Sequence, residues 1–181
     1  SWVGGMTLIS SGTASSAATL DITLPSGYRS FKLLLGPGFV PVTASTFLAM
    51  RWSFDNGSSY LNGVSSYSWG MVYTSSAAAA ATGGFSCNDA STWQATAIPI
   101  SGYGQNTTAS ASSSYEINIQ QAASGQTATT FFESWIINST GSANGWSKGG
   151  GNSATTGPIT NVRILSNSGN ISGKWALYGI T

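Results

Sequence analysis

Alternation of apolar and polar residues with a period of two recurs along this chain, whereas helical periodicity is nearly absent. In residues 19–24, leucine and isoleucine alternate with threonine and aspartate, a pattern typical of a half-buried strand. Similar patterns predict further strands at 47–54, 115–120, 159–165 and 174–180. Residues 131–137 are apolar on both faces apart from Glu133 and Ser134, which indicates a central strand.

Turn-forming residues separate these segments, at 25–27, 36–38, 56–57, 62–63 and 168–170. The last of these turns predicts a hairpin in which strands 159–165 and 174–180 pair with each other. Several short strands with turns between them predict an all-β fold, specifically an antiparallel β-sandwich or jelly roll. The sequence has no fixed repeat period, which a propeller or a β-helix would require.

The composition is uniform along the chain, so residues 1–181 are expected to form a single domain. Two stretches rich in glycine, serine and alanine, 75–84 and 139–157, are predicted to be long surface loops. Ala77 to Ala81 is the one run that favours a helix, and five residues are too few to hold one alone.

Charged residues make up 6% of the chain, and the net charge is +1. Seven Trp, seven Tyr and seven Phe supply enough apolar surface for folding, which argues against disorder. So small a net charge cannot neutralise a run of phosphates, so no nucleic-acid partner is expected. There is no His and one Cys, which excludes a Ser-His-Asp triad, a disulfide within the chain and the common zinc or redox metal sites. We therefore expect no cofactor, no metal and no catalytic set.

The chain shows no basic leader followed by an apolar stretch, and no apolar run of the ~20 residues that cross a bilayer. We expect no membrane insertion. A protein without a visible export signal could still reach the outside of a cell if it were made inside the cell and released as part of a particle.

The carboxylates limit what catalysis the chain could perform. Asp21 and Glu116 lie on polar strand faces, where a solvated or salt-bridged carboxylate is normal, and Asp55 is placed to cap a turn. Glu133 lies in an apolar strand. If buried, it would have a raised pKa, as a general acid needs. The alternative is a structural Glu133 that pairs with Lys32, Arg51 or Arg163.

Aromatic rings in or near polar loops are the remaining candidates for binding chemistry, because they can stack on the apolar faces of sugars. The candidate ligand-binding residues are Tyr67, Trp69, Tyr73, Tyr103 and Trp146. The alternative for each ring is packing in the core or at a subunit interface. We assign Trp52, Trp135 and Trp175 to core or interface, because they lie within strand patterns.

Three stretches, 7–33, 38–60 and 159–180, together resemble a widespread group of tailed-bacteriophage and prophage virion proteins, often labelled tail-fibre or minor structural proteins. Members of this group close on a strand that matches Leu177-Tyr178-Gly179-Ile180. The family pattern has a second Asp after the proline stretch, where this chain has Ala44-Ser45-Thr46, so any role of that acid is missing here.

The resemblance implies a non-enzymatic component of the virion surface. The leading hypothesis is a homotrimeric tail-fibre or spike module that contacts other virion proteins and binds a host-surface glycan. A second hypothesis is a capsid decoration, or cement, protein that stabilises the phage head. A third is a polysaccharide depolymerase that acts through Glu133.

Overall fold

A computed structural model describes residues 5–77, 80–87, 96–102, 113–137 and 144–181. These residues form thirteen β-strands and no α-helix. The strands are β1 Met6–Ala17, β2 Thr19–Thr23, β3 Ser30–Leu35, β4 Val40–Pro41, β5 Leu48–Ser53, β6 Tyr67–Ala77, β7 Ala80–Cys87, β8 Ile98–Pro99, β9 Ser114–Gln120, β10 Thr129–Ile137, β11 Asn144–Ser153, β12 Asn161–Ser166 and β13 Ile171–Ile180. In this part of the chain, no helix is long and apolar enough to cross a membrane.

The strands form two antiparallel sheets, which confirms the predicted all-β class. The larger sheet has nine strands in the order β1-β13-β3-β9-β10-β11-β6-β7, with β4 also paired to β13. The smaller sheet has the order β2-β12-β5-β8. Their apolar side chains form one core, in which the largest fully buried residues are Trp52, Tyr67, Phe31 and Phe39. Each such side chain contributes about 1.5–3 kcal/mol by leaving water.

The period-two patterns correctly predict several strands and their buried faces. In β5, Leu48, Met50 and Trp52 are fully buried, and in β9 Ile117 and Ile119 are fully buried. Successive side chains of a strand point to opposite sides, so one apolar set is enough to anchor each strand to the core.

The predicted long loops at 75–84 and 139–157 are wrong for residues 75–77, 80–84 and 144–153, which form strands, whereas residues 78–79 and 139–143 lie outside the described residues. Residues 75–77 belong to β6 and 80–84 to β7, which pair as a hairpin, and residues 144–153 form β11 between β6 and β10. The glycines of β11 reflect close packing. A Cβ atom added at Gly149 would lie 2.5 Å from the Gly70 carbonyl oxygen, and one at Gly151 would lie 2.8 Å from the Ser68 carbonyl oxygen.

The predicted hairpin between the last two strands is also wrong. β12 pairs with β2 and β5 in the smaller sheet, whereas β13 pairs with β1, β3 and β4 in the larger one. The turn at 168–170 therefore carries the chain from one sheet to the other. Its polar groups bond to a distant segment: Phe47 N donates to Asn167 Oδ1 at 2.8 Å, and Val42 N donates to the Asn170 carbonyl at 2.8 Å.

Asp55 caps the turn after β5, as its sequence context predicts. Its carboxylate accepts hydrogen bonds from the Ser53 hydroxyl at 2.7 Å, from the Ser59 backbone N–H at 2.9 Å and from the Ser59 hydroxyl. Asn56 and Gly57 adopt positive φ angles of 59° and 82° between these partners. The Ser59 and Ser53 hydrogen bonds lower the pKa of Asp55 to about 2.

This cap predicts an acid-dependent part of the stability. The pKa of Asp55 is depressed in the folded state, so its contribution is present above an ordinary carboxyl pKa of 3.8 and is lost as the pH falls toward about 2. Asp55→Asn is expected to destabilise the protein at neutral pH. The urea midpoint of the variant should also depend less on pH between pH 4 and pH 2 than that of the wild type. Urea titrations at several pH values measure this. Equal pH dependence in both proteins would contradict the role assigned to Asp55.

Candidate functional site

The five aromatic residues predicted to bind a ligand do not come together. Tyr67 and Trp69 are only 1% and 5% exposed, which agrees with the core alternative and leaves neither ring accessible. Tyr73 is half-buried and packs against the same core. These three residues occupy alternate positions along β6, so their side chains lie on the same side of the strand, which faces the core. Trp146 is half-buried on the opposite side of the sheet, and Tyr103 lies outside the described residues.

The structure shows why Tyr67 belongs to the core. Its ring meets Trp52 edge-on, with centroids 5.9 Å apart. Its hydroxyl accepts a hydrogen bond from the Trp52 backbone N–H at 2.8 Å and donates one to the Leu61 carbonyl at 3.1 Å. Desolvation raises the pKa of Tyr67 well above its ordinary value, so the phenol stays neutral.

Tyr67→Phe is expected to lower the free energy of unfolding by about 1–2 kcal/mol, because the buried Trp52 N–H loses its acceptor. Chemical denaturation followed by tryptophan fluorescence measures the loss. Tyr178→Phe is the matched control and should change little, because Tyr178 is half-exposed on β13. A Tyr67→Phe protein as stable as the wild type would show that this hydrogen bond contributes nothing net.

The candidate site lies on the outer face, by which we mean the side of the nine-stranded sheet that points away from the core. On β10 this face carries Phe131, Glu133 and Trp135 in alternate positions. Phe131 and Trp135 are 61% and 49% exposed. On β11, Trp146 lies directly opposite Trp135, and Lys148 lies opposite Glu133. Two tryptophans and a carboxylate thus meet on adjacent interior strands of the sheet.

Trp135, which the sequence assigns to core or interface, does not lie in the core, and Glu133 is exposed rather than buried. The apolar character of β10 on both faces suggested two covered faces, but the core covers only the side of Phe132, Ser134 and Ile136. Alternation identifies the two faces of a strand without saying which one a second sheet covers. The charged residue in the outward set was the available signal, because an ionised carboxylate avoids an apolar core.

Glu133 is held by an aromatic neighbour. The Trp146 indole Nε1–H donates to Glu133 Oε1 at 2.7 Å. This bond orients the indole and the carboxylate together on the outer face. The expected pairing of Glu133 with Lys32, Arg51 or Arg163 does not occur. Those cations bond to Glu116, to Thr96 and to Asp21, respectively.

Glu116 lies directly opposite Glu133 on the neighbouring strand β9. Lys32 Nζ lies 2.8 Å from Glu116 Oε1, and the Asn118 amide donates to the same oxygen at 3.2 Å. The hydrogen bond from Lys32, with that from Asn118, lowers the pKa of Glu116, so this carboxylate is ionised at neutral pH. The salt bridge confirms the structural interpretation of Glu116, and the Asp21–Arg163 pair at 2.6 Å confirms that of Asp21.

A hollow of about 390 Å³ joins these groups. Its polar and aromatic walls come from Glu116, Glu133, Trp135 and Trp146, and its apolar end comes from Leu34, Leu35 and Pro37. This size lies near the lower end of small-ligand sites. Apolar ring faces beside hydrogen-bond acceptors suit a pyranose sugar, which has an apolar C–H face and hydroxyl donors around its rim.

The site has no described set of metal ligands. In the ranges that the structure describes, no three His, Cys, Asp or Glu side chains group together as a metal site requires. The depolymerase hypothesis assumes a buried Glu133, whereas this side chain is exposed on the outer face.

Comparison with protein-family models, with curated proteins and with solved structures finds no match to this chain. The resemblance to tailed-phage virion proteins therefore stays a prediction from sequence. The class of protein that fold and site define is an antiparallel β-sandwich with an aromatic and carboxylate site on the outer face of its larger sheet.

Proposed function

We propose that this protein is a non-enzymatic carbohydrate-binding module, and that its site is the hollow between Trp135, Trp146 and Glu133. The observation that carries the proposal is the side-by-side placement of two accessible tryptophans beside a carboxylate that one of them fixes at 2.7 Å. Water-exposed indoles on a sheet face have no role in the core of this chain. They are suited to an amphipathic ligand.

The mode of binding follows from the chemistry of the side chains. A sugar ring would lay its C–H face on the exposed indole of Trp135, which removes apolar surface from water. Its hydroxyl groups would donate to the carboxylates of Glu133 and Glu116. A carboxylate that already accepts one N–H bond is held in place, so less side-chain freedom is lost on binding.

The biological setting that we propose rests on the sequence resemblance: the module lies on the surface of a tailed-phage particle and binds a host-surface glycan. A single open site of this kind binds weakly, so a homotrimer that presents three copies would gain strength by multivalency. The module would contact other virion proteins through surfaces away from the hollow.

The test is binding of the purified protein, in its native oligomeric state, to a glycan array that includes bacterial surface polysaccharides. We expect retention of at least one glycan class, and competition by the free oligosaccharide. Absence of binding to all glycans, together with unchanged adsorption of host cells in the presence of excess protein, would overturn the proposal.

Capsid decoration is a second candidate, favoured by a different observation. Met6, Leu8, Val72 and Phe85 are 56%, 54%, 47% and 66% exposed on the outer face. A cement protein would bury such side chains against the capsid lattice. Cryo-electron microscopy of the particle separates the two functions, because density over the head supports decoration and density at the tail supports glycan binding.

A further inference from the structure

The outer face of β10 carries a second aromatic platform beyond the hollow. Phe131 and Trp135 are four residues apart on one strand, with Glu133 between them. At ~3.3 Å per residue, their Cα atoms are separated by ~13 Å along the sheet. This distance exceeds the width of one sugar ring, so a single pyranose that stacks on Trp135 cannot also cover Phe131.

Glycines beside Phe131 keep that platform open. Gly150 lies opposite Phe131 on β11, and Gly70 lies opposite Gly150 on β6. A Cβ atom at Gly150 would come within 3.2 Å of Phe131 Cδ1 and 3.6 Å of Cε1, so the ring leans over this glycine. The space without side chains forms a second hollow of about 420 Å³, bordered by Phe131, Gly150, Gly70, Thr129, Asn152 and Ser68.

The charged groups in and beside the first hollow are balanced in charge. Glu116 is paired with Lys32 at 2.8 Å, and Glu133 lies across the strand pair from Lys148. Two carboxylates and two ammonium groups give this part of the face no net charge. An acidic polymer would meet the carboxylates without a compensating excess of cations, so the face is complementary to a neutral chain that donates and accepts hydrogen bonds.

We propose that the outer face binds an internal segment of a neutral polysaccharide, which runs along β10 and occupies two subsites. One subsite is the hollow at Trp135 and Trp146, and the other is the hollow at Phe131. This inference rests on the proposed carbohydrate-binding function and adds the ligand class: a polymer chain bound along its length, not a terminal sugar held in a closed pocket.

The first experiment uses affinity electrophoresis in gels that contain neutral dextran, mannan or galactomannan, or acidic alginate. Calorimetry then follows with mono- to hexasaccharides of the neutral polymer that retards the protein. We expect affinity to rise by about tenfold, which corresponds to about 1.4 kcal/mol, from the monosaccharide to oligomers long enough to stack on Phe131 as well. Stronger retardation by alginate than by any neutral polymer would overturn the proposed ligand class.

The matched variants are Phe131→Ala and Leu8→Ala, which remove two large apolar side chains of similar exposure from the same face. Phe131→Ala is expected to weaken binding of long oligosaccharides by about tenfold and to leave binding of the monosaccharide unchanged. Leu8→Ala, on the edge strand β1 at the other end of the sheet, should change neither. Thermal unfolding of both variants verifies that the fold is retained.

The remaining outcomes separate this inference from the proposed function. Sugar binding that does not depend on chain length or on Phe131 would overturn the second subsite and leave the carbohydrate-binding function intact. Failure of every carbohydrate to bind would overturn both. A change of oligomeric state in Phe131→Ala, measured by light scattering, would show that the second platform is a protein interface and would also overturn the inference.

Discussion

Simultaneous replacement of Trp135 and Trp146 by alanine is expected to lower glycan affinity by on the order of a hundredfold. The double variant removes both stacking surfaces and also the indole N–H that holds Glu133 at 2.7 Å. Each lost aromatic contact is worth roughly 1 kcal/mol or more, and about 1.4 kcal/mol corresponds to a factor of ten in affinity. Calorimetry or surface plasmon resonance with the glycan found on the array measures the effect.

The fold should survive this double substitution, because both residues project from the outer face and neither belongs to the buried core. Phe85→Ala is the control, since it removes an exposed aromatic ring from the same sheet at a distance from the hollow. A double variant that binds glycan as tightly as the wild type, with an unchanged unfolding midpoint, would place the site elsewhere on the molecule.

Gly149→Val is expected to destabilise the protein by roughly 3 kcal/mol, the upper end of the usual cost of overpacking. A Cβ atom at this position would lie 2.5 Å from the Gly70 carbonyl oxygen, 2.6 Å from Phe132 Cζ and 2.8 Å from Met71 Cβ. Two of these three atoms belong to backbone or to a Cβ, which cannot move away without displacing a strand. Denaturant unfolding measures the change.

Gly70→Val provides the matched control in the neighbouring strand. A Cβ atom at Gly70 points to the outer face, and its nearest neighbour is Phe85 Cε2 at 3.6 Å, an ordinary contact distance. Valine also favours strands, so this variant should be neutral or slightly stabilising. If Gly149→Val were as stable as Gly70→Val, residues 144–153 would not pack as the strand β11.

The fold class could be predicted from sequence because it depends on local signals. Period-two alternation in β2, β5 and β9 gives both the strands and their buried faces, and Asp55-Asn56-Gly57 carries the turn chemistry that the structure confirms. The strands that were missed lack this signal. Residues 75–84 and 144–153 consist largely of Gly, Ala and Ser, which have weak strand preferences of their own.

The candidate site was predicted only in part. Its polar, glycine-rich surroundings identify Trp146, whereas the strand pattern places Trp135 in the core or an interface and the loop pattern offers Tyr67 and Trp69 as ligand-binding residues. In each case the alternation was correct and the covered side was not determined. An aromatic residue in an alternating pattern can lie on a buried face or on an exposed binding face, and the pattern does not distinguish the two.

The sequence alone determined that the chain forms short antiparallel strands joined by tight turns, since alternation and turn residues act over a few neighbouring positions. Tertiary structure alone decided which strands pair and which face is covered. It separates β12 from β13 and pairs Thr13 with Lys174. The physical reason is that ladder hydrogen bonds and sheet packing join residues far apart along the chain, so the accessible side of β10 depends on where the smaller sheet lies.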